Sequence, residues 1–184
     1  MHIVPAKNNV SQTGGLVCGY ITLYAAYVST YVPMHKWTPD IVAGVVTHGV
    51  QRGKSIGGII DEDYAKEVHE FSLNVTDKYI ADGIADKTPI DVLHRIVVGT
   101  RSDAMMALTT CAPTDGSVGH HMFIAFKDNT WYWLESLTSE KHKAAYLRVF
   151  ESKLEFIVKL YAFVRQKNWS LRGISKEVKI SKSG

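Results

Sequence analysis

The order of apolar and polar positions predicts helices first and strands later. A polar, glycine-containing loop, residues 8–17, precedes a nearly continuous apolar run, residues 18–32, that does not alternate. Such a run is typical of a helix packed on most sides, although its tyrosines and β-branched residues would also suit a strand. Residues 38–40, Thr-Pro-Asp, begin a second helix because a hydroxyl cap, a first-turn proline and an acid favour a helix start. We expect this helix to end at Gly53.

Two further segments, residues 61–72 and 88–99, predict additional helices. Beyond residue 103 the pattern predicts strands, and a polar turn at residues 127–130 makes the second and third of them a hairpin. These three strands are residues 104–112, 120–126 and 130–136. A short helix over residues 150–159 and a strand over residues 161–166 are predicted to follow.

This order of elements predicts an α+β fold rather than alternating βαβ units. We expect one domain over residues 1–172, with a helical part at about 1–102 and a sheet part at about 103–172. Residues 173–184 are rich in lysine and serine and predict a basic, flexible tail. The chain has no glycine-rich dinucleotide or phosphate loop, so no cofactor is expected.

Composition narrows the function classes. The 184 residues are 46% hydrophobic and 21% charged, which is typical of a globular domain. A net charge of +3 is too weak to indicate a nucleic-acid partner. The chain starts without the apolar core of a signal peptide, and its longest apolar run is too interrupted for a membrane span. We therefore expect a cytoplasmic monomer with no membrane partner.

Cysteine usage directs attention to one thiol. With only two cysteines, Cys18 and Cys111, the chain has neither a disulfide framework nor a four-cysteine zinc module. Cys18 lies at the start of a predicted helix, where free N–H groups and the helix dipole favour a thiolate nucleophile. The alternative is a buried, inert thiol, which is the favoured interpretation of Cys111. Gln12, six positions earlier, is a candidate oxyanion donor together with the Cys18 N–H.

A base for this thiol is predicted at the start of the hairpin. His120 and His121 follow a glycine and begin an otherwise apolar strand, and the hairpin brings Glu135 back beside them. A carboxylate there would fix the tautomer of the base. A solvated histidine pair is the alternative, and a register slip of one residue would exchange the two histidines. Asp128 is a less suitable acid because it falls at the hairpin tip. Zinc is not expected, since no paired metal-ligand spacing occurs.

These motifs resemble the papain-like cysteine peptidases. The segment QTGGLVCGYITL looks like the ubiquitin C-terminal hydrolase type, with glutamine six positions before the cysteine. The segment GHHMFIAFKDNTWYWLES is similar to deubiquitinases and viral leader-type peptidases of this superfamily, in which the acid follows the histidine by about fifteen positions. The resemblance covers residues 8–32 and 117–137. It departs from the usual pattern at the acid, which is commonly Asp or Asn and here is Glu135.

The resemblance implies a fold and a mechanism. A helical half carrying the nucleophile helix would pack on an antiparallel sheet half. Cys18 would attack a scissile carbonyl, His120 would exchange the proton, with His121 as the alternative base, and Glu135 would orient the ring. Gln12 and the Cys18 N–H would form the oxyanion hole.

Three functions follow from this site. The first is a cysteine peptidase that acts on ubiquitin-like proteins or on a junction at its own C-terminus, after Gly184 of a polyprotein. The second is a thiol acyltransferase or amidase that uses the same residues. The third is a non-catalytic interaction domain that keeps the fold.

Overall fold

A computed structural model of the chain describes most of the predicted elements. The described residues are 1–12, 17–56, 74–81, 105–113, 120–138, 140–166, 169–170 and 175–179. The helices predicted at 61–72 and 88–99, and the terminal Gly184, lie outside them. Within the described residues, no helix combines the length and the apolar character that crossing a membrane requires.

Among the residues that the structure describes, two α-helices form the N-terminal layer. Helix α1, Cys18–Ser29, is the predicted apolar helix, and residues 18–23 are all buried, as expected for a helix packed on most sides. Helix α2 spans Pro39–Ile56, and the Ile41 N–H donates to the capping Thr38 Oγ1 at 3.4 Å. The predicted end of α2 at Gly53 is wrong, because α2 continues to Ile56.

Glycines allow α2 to lie directly against α1. A Cβ added at Gly49 would lie 2.6 Å from the Ile21 Cα, and one added at Gly53 would lie 2.8 Å from the Val17 Cβ. These distances are shorter than any real packing contact, so both positions require a residue without a Cβ. Gly53 is therefore a packing residue rather than the helix stop that its position in the sequence predicts.

The strands form an antiparallel sheet. The described strands follow the order β1-β6-β5-β4-β3-β8-β2, and β7 pairs separately with β3. Their bounds are β1 His2–Pro5, β2 Asn74–Ala81, β3 Met105–Pro113, β4 His120–Lys127, β5 Thr130–Glu135, β6 Tyr146–Phe150, β7 Trp169–Ser170 and β8 Ser175–Lys179. The predicted hairpin is present as β4 and β5. Its tip pairs Lys127 with Thr130, and Asp128 and Asn129 take φ values of 50° and 58°. Asp and Asn tolerate this left-handed region, which suits a two-residue hairpin turn.

The sheet also contains strands that the sequence patterns miss. Strands β1 and β2 come from the part of the chain predicted to be helical, and β6 was not predicted. Residues 173–184 are predicted as a flexible tail, whereas Ser175–Lys179 form β8 between β3 and β2. Backbone hydrogen bonds to two neighbouring strands hold β8, and these do not depend on an apolar side-chain pattern.

The strand predicted at residues 161–166 is also wrong. Helix α3 spans Lys153–Gln166 and therefore includes this segment. Ser152, the residue before the helix, caps its start, since its Oγ accepts a hydrogen bond from the Glu155 N–H at 3.2 Å. Residues 153–166 contain no glycine or proline, so the helix continues to Gln166. Phe156 packs on the Trp131 ring with centroids 4.9 Å apart and fixes α3 against the sheet.

The core lies between α1, α2 and the sheet. Buried side chains of both helices meet buried side chains of β4, β5 and β6 in one cluster, including Tyr20, Ile21, Leu23, Val42, Val46, Phe123, Ala125, Leu134 and Leu147. Helix α1 contacts β4 directly. This contact brings the start of the apolar helix to the start of the strand that carries the two histidines.

Candidate active site

Cys18 is the first residue of α1, and its sulfur is a thiol rather than half of a disulfide. The preceding Val17 has a carbonyl that accepts from the Tyr20 and Ile21 N–H groups at 3.1 and 3.2 Å, but it provides no side-chain cap. The positive end of the helix dipole is therefore next to the sulfur, which favours a thiolate. Cys18 is only 7% exposed.

His120 and Glu135 form a buried hydrogen-bonded pair at one end of the hairpin. His120 is the first residue of β4 and Glu135 is the last residue of β5, so antiparallel pairing places them at the same end. His120 Nε2 lies 3.0 Å from Glu135 Oε1. An ionised carboxylate only accepts, so the ring Nε2–H donates and Nδ1 is the nitrogen left to face the thiol.

The strand register explains how a glutamate reaches this histidine. Strands β4 and β5 pair Phe123 with Leu134, and continuing this register places Glu135 opposite position 122. His120 is then a diagonal neighbour on the same face of the sheet, with Cα atoms about 7–8 Å from those of Glu135. The longer side chain of glutamate spans this offset. The Leu137 N–H also donates to Glu135 Oε1, at 2.8 Å, and holds the carboxylate in place.

Charge around His120 favours its protonated form. Burial lowers the pKa of His120, but the Glu135 carboxylate and the Cys18 side chain, through charge and hydrogen bonds, raise the pKa to about 10. The two opposing contributions leave an imidazolium at neutral pH. A thiolate hydrogen-bonded to an imidazolium is the reactive form of a cysteine nucleophile.

Strand β6 places polar side chains beside the end of β5. Tyr146 is the cross-strand partner of Glu135, and its hydroxyl accepts a hydrogen bond from the Arg148 guanidinium at 2.9 Å. Burial and the Glu135 charge raise the pKa of Tyr146 to about 12, although Arg148 lowers it. The Arg148 guanidinium also lies over the Trp133 ring at 4.4 Å. Tyr146 is therefore neutral throughout the range in which a cysteine–histidine pair works.

Gln12 reaches the same end of the hairpin through Ser136. The Gln12 N–H donates to the Ser136 carbonyl oxygen at 2.8 Å, and the Ser136 hydroxyl donates to Gln12 Oε1 at 2.7 Å. Ser136 is buried and directly follows Glu135. Sequence reasoning missed Ser136, and its only signal was its position immediately after the predicted acid.

The structure therefore brings four predicted site residues together: Cys18 with His120, His120 with Glu135, and Gln12 with the residue next to Glu135. Asp128 lies exposed at the opposite end of the hairpin. The backbone of Cys111 pairs with that of His120 across β3 and β4, but the side chains of Cys111 and His121 lie outside the described part of the structure. In that part, no group of three His, Cys, Asp or Glu side chains is arranged to hold a metal ion.

Solved structures of two other proteins have a fold similar to that of this chain. No protein-family model and no curated protein sequence matches the chain. Among solved structures, the Pseudomonas avirulence protein AvrPphB matches with a TM-score of 0.64 at 7% identity, over 92% of this chain and 96% of that one. A ubiquitin-specific protease encoded by a murine cytomegalovirus tegument protein, solved with a ubiquitin-based suicide substrate, matches with a TM-score of 0.53 at 14% identity, over 97% and 84%. The α+β architecture of this chain is therefore the papain-like cysteine peptidase fold.

Proposed function

We propose that the chain is a cysteine peptidase that cleaves peptide or isopeptide bonds through Cys18. The observation that carries this proposal is the continuous set of hydrogen bonds from Cys18 through His120 to Glu135, at a helix start within a papain-like fold. The buried imidazolium beside the thiol gives the charge distribution that the reaction needs.

The proposed reaction has two steps. The Cys18 thiolate forms a bond to the scissile carbonyl carbon, and the oxyanion receives hydrogen bonds from the Cys18 N–H and the Gln12 amide. As this intermediate collapses, the C–N bond breaks and the His120 imidazolium gives its proton to the departing amine. Neutral His120 then takes a proton from a water molecule that attacks the thioester carbonyl carbon. The S–C bond breaks, which releases the carboxylic acid product and restores the Cys18 thiolate beside the His120 imidazolium. Glu135 keeps the ring oriented throughout.

The substrate is proposed to be a polypeptide met in the cytoplasm by a monomeric enzyme. One structural neighbour is described as ubiquitin-specific and was solved with a ubiquitin-based suicide substrate, which supports ubiquitin-like proteins as one substrate class. The second class is a junction at the C-terminal end of this chain. The ubiquitin class is tested with ubiquitin that carries a C-terminal electrophile, which should add its own mass to Cys18.

Substitutions identify the nucleophile and the base. Cys18→Ala should abolish labelling and peptide cleavage, and His120→Ala should lower cleavage by at least about 10²-fold. His121→Ala should retain activity, and the exposed His35 provides a matched control as His35→Ala. Full activity in Cys18→Ala would disprove the proposal. Loss in His121→Ala with activity in His120→Ala would reassign the base.

Self-processing has a separate test. A precursor extended beyond Gly184 should be cut by the wild-type chain and remain whole with Cys18→Ala, as followed by intact-mass measurement. An uncut wild-type precursor would remove this substrate class and leave the peptidase assignment to the ubiquitin probe and to peptide libraries.

A further inference from the structure

The connection between Gln12 and Ser136 is the most informative feature outside the three reacting residues. Two hydrogen bonds, one from the backbone and one to the side chain, join residues 124 positions apart. The backbone bond, at 2.8 Å, fixes Gln12 against Ser136, the residue that follows β5. The side-chain bond, at 2.7 Å, holds the side-chain amide of Gln12.

The side-chain bond fixes how the Gln12 amide is presented. An amide has an acceptor oxygen at one end and an NH₂ donor group at the other. Because the Ser136 hydroxyl donates to Oε1, the NH₂ group is directed away from Ser136. A hydrogen bond to the amide oxygen also polarises the amide and strengthens its N–H groups as donors. Both effects serve a group that has to stabilise a developing negative charge.

The same short segment holds the acid. Glu135 accepts from His120 and from the Leu137 N–H, while Ser136 donates to Gln12. Three consecutive residues, 135–137, therefore hold both the His120 ring and the Gln12 amide, the two groups proposed as the base and the oxyanion donor. Glu135 and Ser136 are both buried, whereas Gln12 and Leu137 are half-buried.

We propose that Ser136 is a positioning residue that orients and polarises the Gln12 amide as oxyanion donor, an inference that rests on the proposed peptidase function. Ser136 does not touch the substrate. Removing the Ser136 hydroxyl should slow the reactions of Cys18 that pass through an oxyanion. Reactions of the thiolate that form no oxyanion should keep their rates.

Two reactions of Cys18, one that forms no oxyanion and one that does, test this difference in rate. Iodoacetamide alkylates the thiolate by direct displacement, in which the S–C bond forms as iodide leaves and no oxyanion develops. p-Nitrophenyl acetate acylates it through a tetrahedral oxyanion, which then expels p-nitrophenolate. Neither reagent requires a known peptide substrate, and both rates are measured on the full chain with Cys18→Ala as the background.

Ser136→Ala should slow acylation about ten-fold while the alkylation rate changes less than two-fold. Ser136→Thr keeps a hydroxyl and should restore most of the acylation rate. Thr138→Ala, which removes an exposed hydroxyl from the same loop, is the matched control and should change neither rate. Equal slowing of both reactions by Ser136→Ala would overturn the inference, because Ser136 would then act on the thiolate or on the fold.

A double substitution tests the route through Gln12. Gln12→Ala should slow acylation by about 10²–10³-fold, and adding Ser136→Ala to it should have no further effect. Independent, multiplying effects would overturn the inference. If Ser136→Ala does not fold, Gln12→Glu keeps an oxygen for Ser136 and removes the NH₂ group, and undiminished acylation in that variant would count equally against it. A wild-type chain that is alkylated but never acylated would instead refute the proposed function.

Discussion

The charge of Glu135 can be removed without removing its hydrogen bonds. In Glu135→Gln the amide oxygen replaces Oε1, which accepts from His120 at 3.0 Å and from the Leu137 N–H at 2.8 Å. The other carboxylate oxygen, Oε2, is buried and has no hydrogen-bond partner among the described residues, so the new NH₂ group enters a site that no existing bond occupies. The substitution therefore tests the negative charge beside the imidazole.

The size of the effect follows from the surroundings of His120. Its pKa is raised from 6.5 to about 10 against the lowering effect of burial, with the charge of Glu135 as the largest contribution that raises it. This rise corresponds to about 5 kcal/mol of net interaction favouring the imidazolium. Glu135→Gln removes the Glu135 charge and leaves burial and Cys18, so the pKa of His120 should fall by about two units.

The sign of the change in activity follows directly. Acyl transfer needs protonated His120 as the acid for the leaving group, so the alkaline limb of kcat/KM follows its pKa. In the wild type this limb should lie near pH 10. In Glu135→Gln it should move to lower pH, and activity at pH 9 should fall much more than activity at pH 7.

The assay is an NMR titration of ¹⁵N-labelled histidine, with the His120 signal identified by its loss in His120→Asn, alongside the pH profile of kcat/KM. Glu140→Gln, an exposed carboxylate in the following loop, is the matched control and should leave the His120 titration unchanged. A wild-type His120 that titrates near pH 6.5, or identical titrations in the wild type and Glu135→Gln, would refute the electrostatic reasoning.

Two further predictions concern stability, measured by urea unfolding. Gly49→Ala should lower the free energy of unfolding by about 2 kcal/mol, because its Cβ would lie 2.6 Å from the Ile21 Cα, whereas Gly44→Ala has nothing within 4 Å and should raise it by up to about 1 kcal/mol. Equal effects at the two glycines would contradict the described α1–α2 contact. Asn129→Val should cost about 1–2 kcal/mol at a φ of 58°, and Asn129→Gly should be neutral or stabilising; a harmless valine would contradict the left-handed turn.

Sequence patterns correctly predicted the elements whose formation depends on residues close together in the chain. The cap at Thr38, the apolar run of α1 and the β4–β5 turn all act within a few residues, and each is present in the structure. The α+β fold class was also predictable from the order of helices and strands. Strands β1, β2 and β8 were not, because their backbone groups are satisfied by partners distant in the sequence.

The residues of the candidate site also differ in whether local patterns or distant contacts determine their positions. Cys18, His120 and Glu135 could be singled out because each residue type stands at the start or end of a predictable element. The role of Ser136 could not, since its contact with Gln12 depends on how the N-terminal segment meets the end of β5. The reach of Glu135 to a diagonal neighbour depended on a register that the sequence pattern alone did not determine. The catalytic roles of all these residues stay predictions until they are tested.

The bond between Gln12 and Ser136 also has a consequence for biosynthesis. Cys18 is synthesised early. A nascent chain that ends before residue 135 still lacks Glu135, the partner of His120, and Ser136, the partner of Gln12. Closing a loop of more than a hundred residues is among the slower events in folding. The proposed reactive centre can therefore form only after residue 136 has been synthesised and has left the ribosome, so the proposed peptidase activity is delayed until then.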